Sequence, residues 1–272
     1  MQRFSPSVIE MVASHWRNRN LIRNLIVREV VGRYKGSTLG VLWSLVTPIF
    51  MLIVYTFVFS EVFNARWGGG SDSKTEFALI LFAGLMIFNL FAECISRAPG
   101  LVLANVNYVK KVIFPLEVLP VVVLGSALFH FSVSFLVWLT AYVYLNGMPH
   151  WTVVLLPLIV APFALFVLGL SWLLASVGVF LRDVGQLIII VVQVLMFMSP
   201  IFYPITALPE HFRHLLYLSP LTLPIEMARK VMYWGEVPDI GPWLIASAVA
   251  LCVAALGFAW FQKTRKGFSD VL

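Results

Sequence analysis

Six stretches of the chain stay apolar for long enough to cross a bilayer, roughly residues 39–60, 77–96, 117–145, 153–181, 185–203 and 242–261. A helix needs about 20 such residues to span the hydrocarbon core. Ahead of them, "SPSVIEMVASHWRNRNLIRNLIVREVVGRYKG" mixes apolar residues with arginines at helical spacing, and Ile22, Leu25, Ile26 and Val30 share one face. That periodicity predicts an amphipathic helix at the membrane interface, capped by Ser5 or Ser7 and broken by Gly32 and Gly36. A basic anchor that only fixes topology is the competing reading.

The connections differ in kind. The second, "SRAPGLVLANVNYVKKVIFPLEVLP", is punctuated by Pro99, Gly100, Pro115 and Pro120, so residues 101–114 are expected as a short helix across one membrane face. The third, "NGMPHW", is a turn, and the fourth, at Arg182 and Asp183, is equally tight, which predicts a compact antiparallel set of spans three to five. The fifth is long. Its "SPIFYPITALPEHFRHLLYLSPLTLP" is too apolar for a solvated loop, and Pro200, Pro204, Pro209, Pro220 and Pro224 cut it into pieces too short to cross. Irregular backbone at membrane depth is tolerated where protein buries it or where it lines a watery cavity. Two re-entrant half-helices, roughly 207–217 and 221–234, are therefore expected, with a surface loop as the alternative. The fold class is all-α integral membrane with six transmembrane helices. An interface helix occupies 1–36, spans one to five lie within 39–203, a re-entrant segment covers 204–241 and span six covers 242–262, all in one domain.

Composition strengthens this reading. With 60% hydrophobic and 12% charged residues and a mean hydropathy of +0.92 over 272 residues, the chain is expected to be the membrane domain itself and not a soluble domain with an anchor. The basic N-terminal stretch lacks a signal-peptide layout. The net charge of +6 is explained by its placement: fourteen of the nineteen Lys and Arg residues fall on the side of the termini and five on the other. Both termini are thus expected in the cytoplasm, and nucleic acid is not a partner. Cys94 and Cys252 have no metal-ligand spacing and read as core residues. Small residues in spans three and four, Gly125, Ser126, Ser171, Ala175, Ser176 and Gly178, permit close helix contact. No internal repeat is visible, which speaks against transporters built from repeated halves.

Candidate chemistry is sparse. "GGGSDSKT" at 68–75 approaches a nucleotide-binding P-loop, but Ser73 stands where the loop needs glycine, so ATP would have to be bound by another chain. No metal-ligand or hydrolytic constellation is present. His130, inside span three, reads first as a neutral histidine bonding a neighbouring helix. Glu93 and Arg97 form an i, i+4 pair at the end of span two. Aromatic residues recur along span one (Trp43, Phe50 and Phe57, with Tyr55 and Phe59 beside them) and close span five (Phe197, Phe202 and Tyr203). Periodicity alone favours interfacial packing for them, with a sugar-stacking path as the alternative.

Three ordered blocks carry a resemblance: "VREVVGRYKGSTLGVLWSLVTPIFMLIVYTFVFSEVF", "NYVKKVIFPLEVLP" and "SPIFYPITALP…LSPLTLPIEMARKVMY". In these the chain resembles the permease subunits of type-2 polysaccharide-exporting ABC transporters, the Wzm-like O-antigen exporters. The resemblance implies a homodimer with two copies of a separate ATPase subunit that carries ATP and magnesium, no cofactor on this chain, and a lipid-diphosphate-linked polysaccharide as cargo across the bacterial inner membrane. Carried over, Asn105, Asn107, Tyr108, Lys110 and Lys111, with Arg182 and Asp183, look like the ATPase contacts. Arg28, Arg33, Lys35 and Arg97 stand where a lipid diphosphate could be met, the aromatics of spans one and five look like channel lining, and the proline-rich stretch, with Tyr217 and Trp234, looks like a periplasmic gate. Teichoic acid or capsular polysaccharide is the alternative cargo, and a membrane glycan polymerase or acyltransferase the alternative class.

Overall fold

Ser7 caps the first helix, α1 (Val8–Arg17), its hydroxyl accepting the Glu10 N–H at 3.1 Å. Asn18 donates its side-chain amide back to the Ser14 carbonyl at 2.8 Å, and here the amphipathic run divides into α1 and α2 (Arg19–Arg33), where the pattern suggests one helix. Gly36 at φ +90° and Gly40 at φ +54° then turn the chain in left-handed conformations that side chains resist.

The computed structural model describes residues 7–58, 67, 74–109, 114–217 and 219–272. Among them every regular element is helical. The succession continues with α3 (Trp43–Thr56), α4 (Lys74–Arg97), α5 (Val106–Val109), α6 (Val118–Asn146), α7 (Leu156–Phe180), α8 (Val184–Met198), α9 (Glu210–Tyr217), α10 (Thr222–Arg229), α11 (Ile240–Thr264) and α12 (Phe268–Val271). Among the described residues four of these, α4, α6, α7 and α11, are long and apolar enough to cross a membrane, and α3 and α8 are shorter apolar helices of 14 and 15 residues.

α4 lies at the centre, with Ile80, Leu81, Ala83 and Ile87 fully buried and α3, α6, α7, α8 and α10 packed around it. Lipid is as apolar as the side chains it would replace, so helix association here rests on close contact. α7 and α11 achieve it through glycine: a Cβ at Gly257 would stand 2.0 Å from the Gly169 carbonyl oxygen, and one at Gly169 would stand 2.6 Å from Ala254 Cα. Gly178 admits the Pro99 carbonyl oxygen and Gly125 the Ile26 side chain in the same way, so the two glycines among the six expected small residues serve as contacts.

Two ends of the bundle are distinct. Pro99 against Gly178, Phe180 against Phe268 and Glu117 against Arg265 gather at one end. Thr152 bonded to the Val231 carbonyl and Trp243 to the Leu158 carbonyl gather at the other. Residues 98–109 form 3-10 turns at Ala98–Gly100 and Leu103–Asn105 followed by α5, so the short helix expected over 101–114 begins only at Val106, and residues 110–113 of that expectation lie outside the described residues. The Asn105 amide caps the Leu101 carbonyl at 2.9 Å, a side-chain bond of the kind that competes with helix propagation. Cys94 is buried, but Cys252 is exposed on the outer face of α11, contrary to its reading as core.

Gly257→Val is expected to force α7 and α11 apart and to lower stability by about 3 kcal/mol, the upper range for overpacking against backbone. Thermal unfolding of the detergent-purified protein, followed by size exclusion, measures it.

Candidate functional site

The carboxyl-terminal end of α2 delivers Arg33 and Tyr34 onto α4 and α6. Arg33 donates to Glu93 Oε1 at 2.5 Å, and His130 Nδ1 lies 3.1 Å from Glu93 Oε2 and 3.1 Å from Arg33 Nη1. The Tyr34 hydroxyl lies 3.2 Å from the opposite nitrogen of the same ring. Arg97, one turn beyond Glu93, pairs with Glu29 of α2 and stands 3.8 Å from Glu93, so the predicted Glu93–Arg97 pair exists as the looser of its two contacts. His130 bonds neighbouring helices as expected, but to a carboxylate and an arginine.

This cluster forms one wall of a cavity of about 560 Å³ between α2, α3, α4 and α6. Ser44, Thr47, Asn89 and Ser134 add neutral polar groups, and Tyr55 closes the apolar side with Phe82 and Met86. An arginine, a histidine and hydroxyls around a space of this size can receive a phosphate-bearing group, with Arg97 set behind the wall.

The other proposed phosphate contacts do not all point there. Arg28 donates to the Tyr108 hydroxyl at 2.8 Å, and Tyr108 stacks on Phe114 at 4.2 Å. Lys35 is exposed on the turn after α2. Asn107, Arg182 and Asp183 are exposed at the same end of the bundle, where Pro99 packs against Gly178 and touches the position of Gly185. Phe59, Lys110, Lys111 and the glycine-rich turn at 68–70 lie outside the described residues.

Beside that end is a buried knot that sequence reasoning missed. Glu117 accepts from Arg265 at 2.6 Å and from the Ser14 hydroxyl at 2.8 Å, its carbonyl takes the Trp172 indole N–H at 2.9 Å, and Arg265 also reaches the Phe114 carbonyl. It ties α1, α6, α7 and the segment after α11 together. A Glu before a span and an Arg after the last one are ordinary flanking residues in the sequence, so only their mutual burial identifies the knot.

At the far end, the chain bends after α8 at Ser199–Pro200. The proline-rich pieces become a 3-10 turn at Ile205–Ala207 that follows Pro204, then α9 after Pro209, then α10 with Pro224 in its first turn, close to the 207–217 and 221–234 boundaries expected. Tyr217 ends α9, and a π-helical turn through Trp234 extends α10 until Gly235 at φ +72° closes it. Ser199 and Ser219, each before a proline, place their hydroxyls 3.0 Å apart, and Pro220 with Pro224 lines a cavity of about 210 Å³ against Trp243.

The side chain that organises this end is Arg229, with no exposed surface. It donates to the carbonyls of Ile80 (3.1 Å), Pro200 (2.5 Å) and Ile201 (2.8 Å) and to Glu226 (2.8 Å), and the Trp67 ring covers it at 4.3 Å. Sequence reading passed over it because one basic residue in a long connection carries no periodic signal.

The aromatic residues divide. Tyr55 lines the cavity, whereas Trp43, Phe50 and Phe57 are exposed on α3. Phe197 and Phe202 stack 5.9 Å apart, and Tyr203 donates to the Phe197 carbonyl at 2.9 Å, so these three form one patch at the end of α8.

Comparison with known proteins follows the same outline. Residues 20–233 match the family described as ABC-2 type transporter. The chain is 26% identical to an O-antigen export system permease protein of Myxococcus xanthus over 97% of its length and 99% of that relative. It is 24% identical to an O-antigen export system permease protein of Klebsiella pneumoniae over 88% and 90% of the two chains. It is 22% identical to a capsule polysaccharide export inner-membrane protein of Neisseria meningitidis over 92% of each.

Arg229→Met would leave the carbonyls of Ile80, Pro200 and Ile201 without their donor, and is expected to cost about 3 kcal/mol, read as a lowered Tm. In a Ser199→Cys, Ser219→Cys background the two thiols are expected to close a disulfide under mild oxidation, and to do so less completely once Arg229→Met is added. Maleimide labelling counts the remaining thiols.

Proposed function

Because the chain belongs to the ABC-2 type transporter family, we propose that it is the membrane-spanning, channel-forming subunit of an ATP-driven exporter. Its cargo would be an undecaprenyl-diphosphate-linked polysaccharide, O antigen foremost, moved from cytoplasm to periplasm. It is a transporter subunit, not an enzyme, and a multi-pass protein of the inner membrane. The observation that carries the reading is the alignment with an O-antigen export permease along 97% of this chain and 99% of that relative. Such a likeness takes in the interface helices, the apolar helices and the proline-rich segment together.

In this reading the chain works as a homodimer with two copies of an ATPase subunit that carries ATP and magnesium. Six spans, with α3 and α8 completing the four longer helices, and cytoplasmic termini are supported by the basic bias of one side. Residues 1–36, 39–203, 204–241 and 242–262 then act as interface segment, spans one to five, re-entrant periplasmic gate and span six of one permease domain. ATP binding would draw the two ATPase copies together and push on Asn105, Asn107, Tyr108, Lys110 and Lys111, with Arg182 and Asp183 as a second contact. Arg28, Arg33, Lys35 and Arg97 would meet the lipid diphosphate. Trp43, Phe50 and Phe57 face away from the protomer's own core, which suits a path lined by aromatic rings between two copies. The Neisseria relative's name makes capsular polysaccharide the second reading of the cargo.

Reconstituted with its ATPase, the protein is expected to give vanadate-sensitive transfer of lipid-linked O antigen into proteoliposomes. Full transfer without any ATPase would exclude the reading, and faster transfer of a capsular glycolipid would favour the second cargo.

A further inference from the structure

The charges that line the 560 Å³ cavity cancel: Arg33 is opposed by Glu93, and behind them Arg97 is paired with Glu29. A neutral wall is a poor trap for a diphosphate diester, which carries two negative charges. The geometry around Glu93 points to what the cancellation is for. One of its oxygens takes Arg33 at 2.5 Å and stands 3.8 Å from Arg97, while the other lies 3.1 Å from His130. Glu93 therefore keeps two partners if Arg33 leaves. Arg33 is also the more exposed of the pair, at 36% against 17%, and it opens onto the cavity.

Resting on the reading that a lipid-linked diphosphate enters this cavity, we propose that Glu93 is a resident anion that occupies Arg33 until the substrate's diphosphate replaces it. Arg33 then passes to the phosphate, and Glu93 settles on His130 and Arg97. Each charged side chain of the cluster has a partner before and after the exchange, so neither state strands a protein charge in a low-dielectric setting. The return of Glu93 to Arg33 expels the headgroup. A transport site must bind strongly enough to admit its cargo and weakly enough to pass it on, and Glu93 sets that balance as a specificity-determining residue.

The test uses the permease–ATPase complex in detergent, with tritiated farnesyl diphosphate as the probe. Glu93→Gln is expected to tighten binding about fivefold, the upper worth of one partly exposed ion pair. The same variant is expected to slow vanadate-sensitive export, a combination that a merely structural role does not produce. Arg33→Gln is expected to weaken binding by a similar factor. Unchanged or weaker binding in Glu93→Gln, with Arg33→Gln still losing the probe, overturns the role of Glu93. Unchanged binding in Arg33→Gln overturns the location of the site instead. Should Glu93→Gln fail to fold, Glu93→Asp, which shortens the reach to Arg33, is expected to tighten binding about two- to threefold, and no tightening overturns the proposal. Displacement of the probe by unlabelled farnesyl diphosphate, but not by equal inorganic diphosphate or phosphatidylglycerol, assigns the ligand to a lipid-borne diphosphate. Equal displacement by either overturns that assignment.

Discussion

A guanidinium with no solvent contact has to find its acceptors inside the protein, and at Arg229 it finds them where proline has broken a helix. α8 stops at Met198, and the residues after it cannot return their carbonyls to a continuing helix because Pro200 and Pro204 lack the N–H groups that would take them. Arg229 binds the Pro200 carbonyl, whose helical donor would have been the missing N–H of Pro204, and the Ile201 carbonyl freed where the chain leaves the helix, while its Nε reaches Ile80 on the central helix. The break and the buried charge solve each other's problem. Backbone that could not survive in lipid is satisfied from within, and a cation that could not survive in lipid is coordinated by four oxygens. The proline-rich segment is thereby fastened to α4 and to the end of α8, and α9 and α10 take their places from that fastening.

The opposite end is built on another principle. The Glu117–Arg265 knot is closed, with each partner about nine-tenths buried, and it joins helices from the beginning, middle and end of the chain. The Arg33–Glu93–His130 cluster, a few turns along, is open to a cavity and oversupplied with partners. Breaking the first strands a charge, whereas rearranging the second does not. A closed knot and an ion-pair cluster open to a cavity are thus placed side by side, which suits the proposed exchange of partners within a fixed frame.

Much of the architecture was legible because it depends on long-range averages. Apolar runs, the proline punctuation at 200–224 and the small residues Gly125 and Gly178 each carry a physical constraint that survives without knowledge of neighbours, and the helices fall close to where those constraints put them. What was not legible depends on pairing across the chain. Arg229 with residues 80, 200 and 201, Glu117 with Arg265, and Arg33 with Glu93 span separations of up to 149 residues, and none leaves a periodic trace. The division of the N-terminal helix at Asn18 and the 3-10 turns at Ala98–Gly100 and Leu103–Asn105 were not legible because they are local events: at Asn18 and Asn105 the side-chain amide bonds a carbonyl one turn back. The exposure of Cys252 failed for a membrane reason, since a lipid-facing position accepts the same residues as a core.

Those asparagine-capped turns bear on how a push at one end could be felt at the other. A helix unbroken from residue 98 would act as a lever, but residues 98–105 are 3-10 turns, and the stretch through Tyr108 is held at three points: Pro99 against Gly178 of α7, Tyr108 to Arg28 of α2, and Arg97 to Glu29 just before them. Force applied to such a segment cannot be stored as rotation of one rod and is divided between α2 and α7. α7 is locked to α11 by the Gly169–Gly257 contact, whereas α2 ends at Arg33 on the wall of the cavity. In the proposed reading, displacement of this segment would reach α2 through Arg97–Glu29 and Tyr108–Arg28 and pass along it to the Arg33–Glu93 bond at its end.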